Sequence, residues 1–408
     1  MQQFGLFLLL SPMKPNIINN IKYPLVIQDF GNAHAVWFKR SGSFLLLEEP
    51  AFFVLQLFIG GKDTAVIKKT CRKKYSSSEA DTDTFVDEII QYISQLNRSK
   101  NGNQVSKKKE AKHEPVPKVF SYCNYYKFGK TVICIDYQDE WLKHLVHPSF
   151  SHLETTEQFV LKHHICCYRS EELFIVSHNK KIIEAFNPDA VEYYKGAISQ
   201  LIYSLIYKKP FTGWMCTLHA SGVYSENSAF IFSAAAGSGK STVSAILKAN
   251  GLDYISDDFI AATPDGHVYP FPASMSVKDG AFAALSKYYP GLGEKVPEKA
   301  STGKMVRYLP VHNFPEKLLN GIRVAGFIFV NYQSGSGFNL LEVSKKEAIQ
   351  LLLKETWVNP KTELVTAFFD WVEKTNFYRM TYSDNEVMIN AIKNLLKNEK
   401  QNSAVRIT

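Results

Sequence analysis

Residues 228–260 read SAFIFSAAAGSGKSTVSAILKANGLDYISDDFI, and this stretch decides the fold class. Ala229 to Phe232 is a short β-prone run, Gly237 and Gly239 free the loop behind it, and Lys240-Ser241-Thr242 opens a helix that Asn250-Gly251 closes. Strand, glycine loop and helix N-terminus in succession make an anion site, because unpaired backbone N–H groups and the positive end of the helix dipole face the same point. The pattern predicts that Gly237, Ser238, Gly239, Lys240, Ser241 and Thr242 hold a nucleotide, with Lys240 charging the β- and γ-phosphates and the Ser241 hydroxyl ligating Mg²⁺. ATP and Mg²⁺ are the expected cofactors. The common G-x-x-x-x-G-K-[ST] form has glycine where this chain has Ala234, which predicts a differently shaped loop entry.

Beyond the helix, the strand expected at Asp253 to Ile255 delivers Asp257 and Asp258 to its carboxyl end, where acidic groups can meet a metal and an attacking hydroxyl. An isolated Asp-Asp pair more often caps a turn; its position after this loop is what gives it chemical meaning. His219, in Leu218-His219-Ala220-Ser221-Gly222, precedes the strand that feeds the loop.

The chain has 408 residues, enough for two or three domains. Its formal charge of +8 invites a nucleic-acid reading, but residues 98–118 carry seven Lys/Arg against two Glu and supply most of the excess. That segment, RSKNGNQVSKKKEAKHEPVPK, reads as a flexible basic linker, either a solvated tether or a phosphate-binding arm, with too few apolar side chains to join a core. No nucleic-acid partner is expected. The six cysteines show no metal-ligand spacing and read as reduced thiols. The apolar opening Leu6 to Leu10 is short, lacks a preceding basic residue and is broken by Ser11-Pro12, so no secretion signal is expected, and Met13 is an alternative start. No run is long enough for a membrane helix, and the expected location is cytoplasmic.

In front of the linker, residues 20–97 read as a compact unit: strands at Ala35 to Phe38 and Phe44 to Leu47 around a turn at Ser41-Gly42, a helix from Glu49 to Gly60-Gly61, a second over Thr64 to Tyr75, and a third with Asp83 as its N-cap. Behind the linker, residues 119–210 carry expected strands at Thr131 to Ile135 and Leu173 to Val176 and a helix over Val191 to Ile206. Near the C-terminus, Ser383-Asp384-Asn385-Glu386 reads as a capping box before a last helix.

Two resemblances follow from these residues. His219-Ala-Ser, the glycine loop and Ser256-Asp257-Asp258 resemble the HPr serine kinase/phosphorylase and phosphoenolpyruvate carboxykinase superfamily over residues 210–395. The resemblance implies an α/β P-loop kinase domain in which Asp257 takes the proton of a substrate hydroxyl, Asp258 helps hold Mg²⁺ and His219 sits near the transferring phosphate. Pro270-Phe271-Pro272 to Lys278 and Gly303-Lys304-Met305-Val306-Arg307-Tyr308 resemble later segments of those kinases, which makes Lys278 and Arg307 candidate phosphate clamps, with Lys304 beside them. The acidic signature of the bifunctional HPr enzymes is not found after Lys278, nor are the second lysine and substrate arginine of a carboxykinase. Phe44-Leu-Leu-Leu-Glu-Glu-Pro-Ala51 and the strand and helix order around it resemble PqqD-like peptide-recognition domains, which implies a winged-helix-like α+β module that pairs a leader peptide along a strand edge. A structural or dimerisation module has the same helices, so both readings stand.

The expected organisation is 20–97 as the peptide-binding domain, 98–118 as linker, 119–210 as the front of the kinase domain and 211–397 as its catalytic part. The expected function is transfer of the ATP γ-phosphate to a serine or threonine of a peptide or small protein, a precursor peptide in a modification pathway. The alternatives are an HPr-like phosphocarrier or free serine as acceptor, a hydrolytic ATPase, or a nucleotide-binding adaptor without transfer. A homo-oligomer is compatible with the resemblance and rests on it alone.

Overall fold

The computed structural model describes residues 16–19, 24–75, 78–98, 107–108, 110–156, 162–170, 172–235, 237–300, 303–311 and 321–405. The apolar opening, Met13 and linker residues 99–106 and 109 lie outside the described residues. The chain is mixed α/β, with several sheets and ten α-helices among the described residues. No helix of the described residues is long and apolar enough to cross a membrane. The chain divides into two compact units, one drawn from residues 1–103, 344–354 and 358–374, the other from 104–343, 355–357 and 375–408.

The first unit holds a four-stranded antiparallel sheet in chain order, Asn16–Asn19, Pro24–Asp29, Ala33–Phe38 and Ser43–Glu48, followed by helices Glu49–Ile59, Thr64–Lys74 and Glu79–Arg98. Gly42, at a φ of +73°, makes the tight return between the last two strands. Leu25, Ile27, Val36 and Phe38 point to Phe52, Leu55 and Ile93 of the helices. Every residue of Ala33–Phe38 is buried rather than every second one. A sheet covered on both faces loses the alternation of a half-exposed strand, and here the second cover is helix Thr362–Lys374, whose Phe369 meets Phe30 and Phe44 edge-on at ring separations of 6.1 and 5.9 Å.

That cover comes from within the stretch expected to be wholly catalytic. Helices Lys345–Leu352 and Thr362–Lys374 belong to the first unit, so residues 211–397 are not continuous in space. The third helix also begins earlier than expected. Ser78 caps it, its Oγ accepting from the Asp81 N–H at 3.1 Å and donating to the Asp81 carboxylate at 2.6 Å. Asp83 lies inside the helix, paired with Arg72. An aspartate one turn into a helix is as well placed for a neighbouring cation as for a cap, and the sequence pattern does not separate the two.

The second unit begins with a five-stranded sheet in chain order, Tyr122–Phe128, Thr131–Tyr137, His163–Ser170, Leu173–His178 and Lys181–Phe186. Helix Glu140–Phe150 makes the crossover between the parallel pair Thr131–Tyr137 and His163–Ser170, and helix Val191–Ile206 packs on the same face. The linker contributes more than expected. Its residues Glu110–His113 form a 3₁₀ turn, the Lys107 N–H donates to the Ala185 carbonyl at 2.6 Å, and Ala111 is fully buried beside Cys166, Tyr168 and Ile175, with Val116 against them. Two small apolar side chains suffice because the open edge of strand Lys181–Phe186 supplies the backbone partner.

The larger sheet runs in the order Asp253–Ser256, Ser221–Ser225, Ser228–Ser233, Ile322–Tyr332, then His267–Val268, Ile260–Ala262, Cys216–Leu218 and Thr356–Val358. Strand Asn376–Tyr382 also pairs with Ile322–Tyr332, in parallel. Ser228–Ser233, Ile322–Tyr332 and Asn376–Tyr382 therefore end side by side at one edge. Gly326 lets two of them come together, since a Cβ there would lie 2.8 Å from the Phe230 ring.

Candidate nucleotide-binding site

The loop after Ser228–Ser233 runs into helix Lys240–Ala249. Gly237 has φ +88° and Gly239, the residue before the helix, has φ +101°, a region side-chain-bearing residues avoid. A Cβ on Gly239 would meet only ordinary contacts, Tyr332 at 3.7 Å and the Tyr382 hydroxyl at 3.9 Å, so backbone conformation and not space requires glycine there. The helix start is anchored beneath: the Ser221 hydroxyl donates to the Lys240 carbonyl at 2.9 Å and accepts from Ser244 Oγ at 2.7 Å. Ser238 Oγ closes the loop on the Ala235 carbonyl at 2.7 Å.

Lys240 is 7% exposed, and its ammonium donates to the Ala234 carbonyl. The residue standing where glycine is common thus contributes through its backbone, which alanine supplies equally well. Burial lowers the Lys240 pKa, while Glu355 and Asp258 pull it up and Lys278 adds to the lowering, so these four side chains share one field. Asp257 is 4% exposed, and its Oδ2 accepts from the Ser276 N–H at 2.8 Å. Burial, and then the neighbouring Asp258 carboxylate, push its pKa up to about 7, against the Ser276 N–H and Lys278. Asp258 is exposed. Its Oδ1 lies 3.6 Å from His219 Nε2, and His219 Nδ1 lies 3.1 Å from Glu355 Oε2. The His219 N–H also donates to the Glu355 carbonyl at 2.7 Å, so backbone and side chain hold the pair together.

Of the residues expected from sequence, Lys240, Asp257, Asp258, His219 and Lys278 converge behind the loop, with Ser241 and Thr242 half-buried at the helix start. Arg307 has another engagement. Its Nη1 donates to Asp279 at 3.0 Å and its guanidinium lies 4.5 Å from the centre of the Phe282 ring. Arg307 and Tyr308 are neighbours in strand Met305–Leu309 and so face opposite sides. Tyr308 is the one on the acidic side: burial raises its pKa to about 12, and Glu298, Asp257 and Asp258 add to the rise.

Glu355, Ser276 and Tyr308 were not expected from the sequence. Glu355 sits in Leu353-Lys354-Glu355-Thr356, which carries no motif, and it reaches His219 because strand Thr356–Val358 pairs with Cys216–Leu218. Ser276 had one signal, its position two residues before Lys278 on a strand, which puts both on one face. Among known proteins, no family model and no curated protein matches this chain.

Proposed function

We propose that the chain is an ATP-dependent kinase that transfers the γ-phosphate to a serine or threonine hydroxyl of a peptide or small protein. One observation carries the reading: a buried lysine at a helix N-terminus, behind two positive-φ glycines, shares its field with Glu355, Asp258 and Lys278, and Asp258 and Lys278 act in turn on the buried Asp257 while His219 bridges Asp258 and Glu355. A purely structural acid pair has no need of a carboxyl buried to the point of titrating near neutrality next to a phosphate-loop lysine's partners.

The donor set fits Mg-ATP. The positive φ of Gly237 and Gly239 suits a loop whose backbone wraps a phosphate at the helix N-terminus, Ser241 and the exposed Asp258 carboxylate are hard oxygen ligands suited to Mg²⁺, and Lys240 would balance phosphate charge. Mg-ATP supplies the phosphoryl group, its β–γ bond breaking as the acceptor oxygen bonds to phosphorus. Asp257 takes the acceptor's proton, a role matched to a pKa near working pH. Lys278 and His219 neutralise charge at the same place, with Glu355 fixing the orientation of His219.

A peptide acceptor is supported by the first unit, whose sheet ends on the strands Asn16–Asn19 and Ser43–Glu48; an open strand edge takes up an extended peptide through main-chain hydrogen bonds. The test is transfer of labelled γ-phosphate from Mg-ATP to the peptides and small proteins of a cell extract. Label on a serine- or threonine-bearing species supports the reading. Release of free phosphate alone replaces it with an ATPase, and binding without turnover replaces it with an adaptor.

A further inference from the structure

Away from the phosphate loop, the outer face of the five-stranded sheet gathers three thiols, an imidazole and a carboxylate. Strand register brings them together: Cys123 lies opposite Asp136, Cys134 opposite His164, and Asp136 opposite Cys166. Alternation along each strand turns Cys134, Asp136, His164 and Cys166 to one side, while Ile133, Ile135, Ile165 and Cys167 point into the core on the other. Cys123 Sγ is 3.3 Å from Cys134 Sγ, Cys134 Sγ is 3.6 Å from Asp136 Oδ1, Asp136 Oδ2 is 2.7 Å from His164 Nε2, and that nitrogen is 3.8 Å from Cys166 Sγ. Ligand atoms of Cys123, Cys134 and Asp136 all lie within 4.8 Å of one another, as do those of Asp136, His164 and Cys166, so the carboxylate is common to both groups.

We propose that this patch is a site for one zinc-type divalent cation, held by Asp136, His164 and Cys166, with Cys134 against the same carboxylate on its other side and Cys123 at the exposed rim. Thiolate, imidazole and carboxylate are the ligand types that zinc takes, and with metal–ligand distances of about 2.0–2.3 Å a tetrahedral ion sets its ligands about 3.3–3.8 Å apart. The Cys166–His164 contact at 3.8 Å is close to that spacing, and the shorter Asp136–His164 hydrogen bond is the one an ion replaces. Cys134 and Cys166 are each only 2% exposed, while the side chains of Asp136 and His164 are open enough to admit an ion. The ion would add a link between strand Thr131–Tyr137 and His163–Ser170, and so stabilise the fold by mass action.

The test is titration of the reduced full-length protein with Co²⁺, and then Zn²⁺ in competition. Sulfur-to-cobalt charge-transfer absorption reports thiolate ligation and is blind to a cation on the oxygen ligands near the phosphate loop. One equivalent of Co²⁺ giving this absorption, lost to Zn²⁺ and retained in Asp258→Asn and Cys71→Ser proteins, is the expected result. Cys134→Ser and Cys166→Ser should each weaken binding by more than about tenfold, the lower limit typical of disturbing a metal's surroundings. Zn²⁺ should raise the unfolding temperature of the wild type and not of these two variants, which circular dichroism must show to be folded; His164→Ala is a further ligand variant if either thiol variant fails to fold. Absence of the absorption in reduced wild-type protein, with a Cys123–Cys134 disulfide as the only reaction of the patch, would overturn the proposal, as would wild-type absorption in both thiol variants.

Discussion

Asp257 illustrates how one side chain can be costly to the fold and useful to the chemistry. Burial raises its pKa above the ordinary carboxylate value, so over the interval up to about 7 the folded state keeps a proton that the unfolded chain has lost. The stability this group contributes therefore falls as pH rises through that interval. In metal-free protein, the urea midpoint should drop from pH 5 to pH 7.5 by more in the wild type than in Asp257→Asn; equal drops would show that Asp257 is ionised throughout. The same substitution should reduce phosphoryl transfer by about 10²–10⁴-fold, the usual worth of a positioned base, with nucleotide affinity nearly unchanged. Loss of nucleotide binding in the variant would assign Asp257 to the nucleotide rather than the acceptor. Glu355→Gln should lower transfer less, because Glu355 acts through His219, and its effect should be small once His219 is already replaced, as measured by a double-mutant cycle.

At the level of elements, the helices named from sequence patterns are present, their first residues were less well placed, and helices Glu140–Phe150, Asp279–Ser286, Lys345–Leu352 and Thr362–Lys374 were not read from the sequence. The helix over Val191–Ile206 starts and ends where its apolar spacing places it, and strand Thr131–Tyr137 contains the stretch expected. The last helix, Asn385–Val405, begins as the sequence indicates, but its cap is a single aspartate. Asp384 Oδ1 accepts from the N–H groups of Glu386 at 2.7 Å and Val387 at 3.1 Å, while Ser383 Oγ donates to the Ser336 carbonyl. Both Ser-x-x-Glu and Asp-x-Glu patterns fit the four residues, and the tertiary contact to Ser336 removes the serine from the competition. Asp384→Ala should thus cost about 1 kcal/mol, the usual value of an N-cap, and lower the thermal midpoint by a few degrees. Ser383→Ala should retain the cap, and an equal loss in both would restore the capping box.

For the molecule as a whole, the two units are interleaved in sequence. Leu364, Val365, Phe368, Phe369 and Val372 of helix Thr362–Lys374 are buried in the first unit, although some 260 residues separate this helix from residue 103. A chain cut at the linker leaves that apolar face without its sheet, so removal of residues 1–103 should produce a protein that binds a hydrophobic dye and unfolds at lower temperature. An unchanged thermal midpoint would show that helices Lys345–Leu352 and Thr362–Lys374 stand without the sheet. Leader recognition is better examined by charge or proline substitutions on strand Ser43–Glu48 in the full chain. The sequence by itself determined the strand, loop and helix around Lys240 and the positions of Asp257 and Asp258, because these lie within one short stretch where local backbone preference and spacing fix geometry. It also indicated the three helices between Glu49 and Arg98, whose periodicity is local. Only the tertiary structure decided that Glu355 meets His219, that Tyr308 rather than Arg307 faces the acid pair, that Phe369 covers the first sheet and that Cys134 and Cys166 flank Asp136 and His164. Each of these depends on the register between strands distant in sequence, and a register is set by the packing of the whole sheet, not by the residues that it brings together.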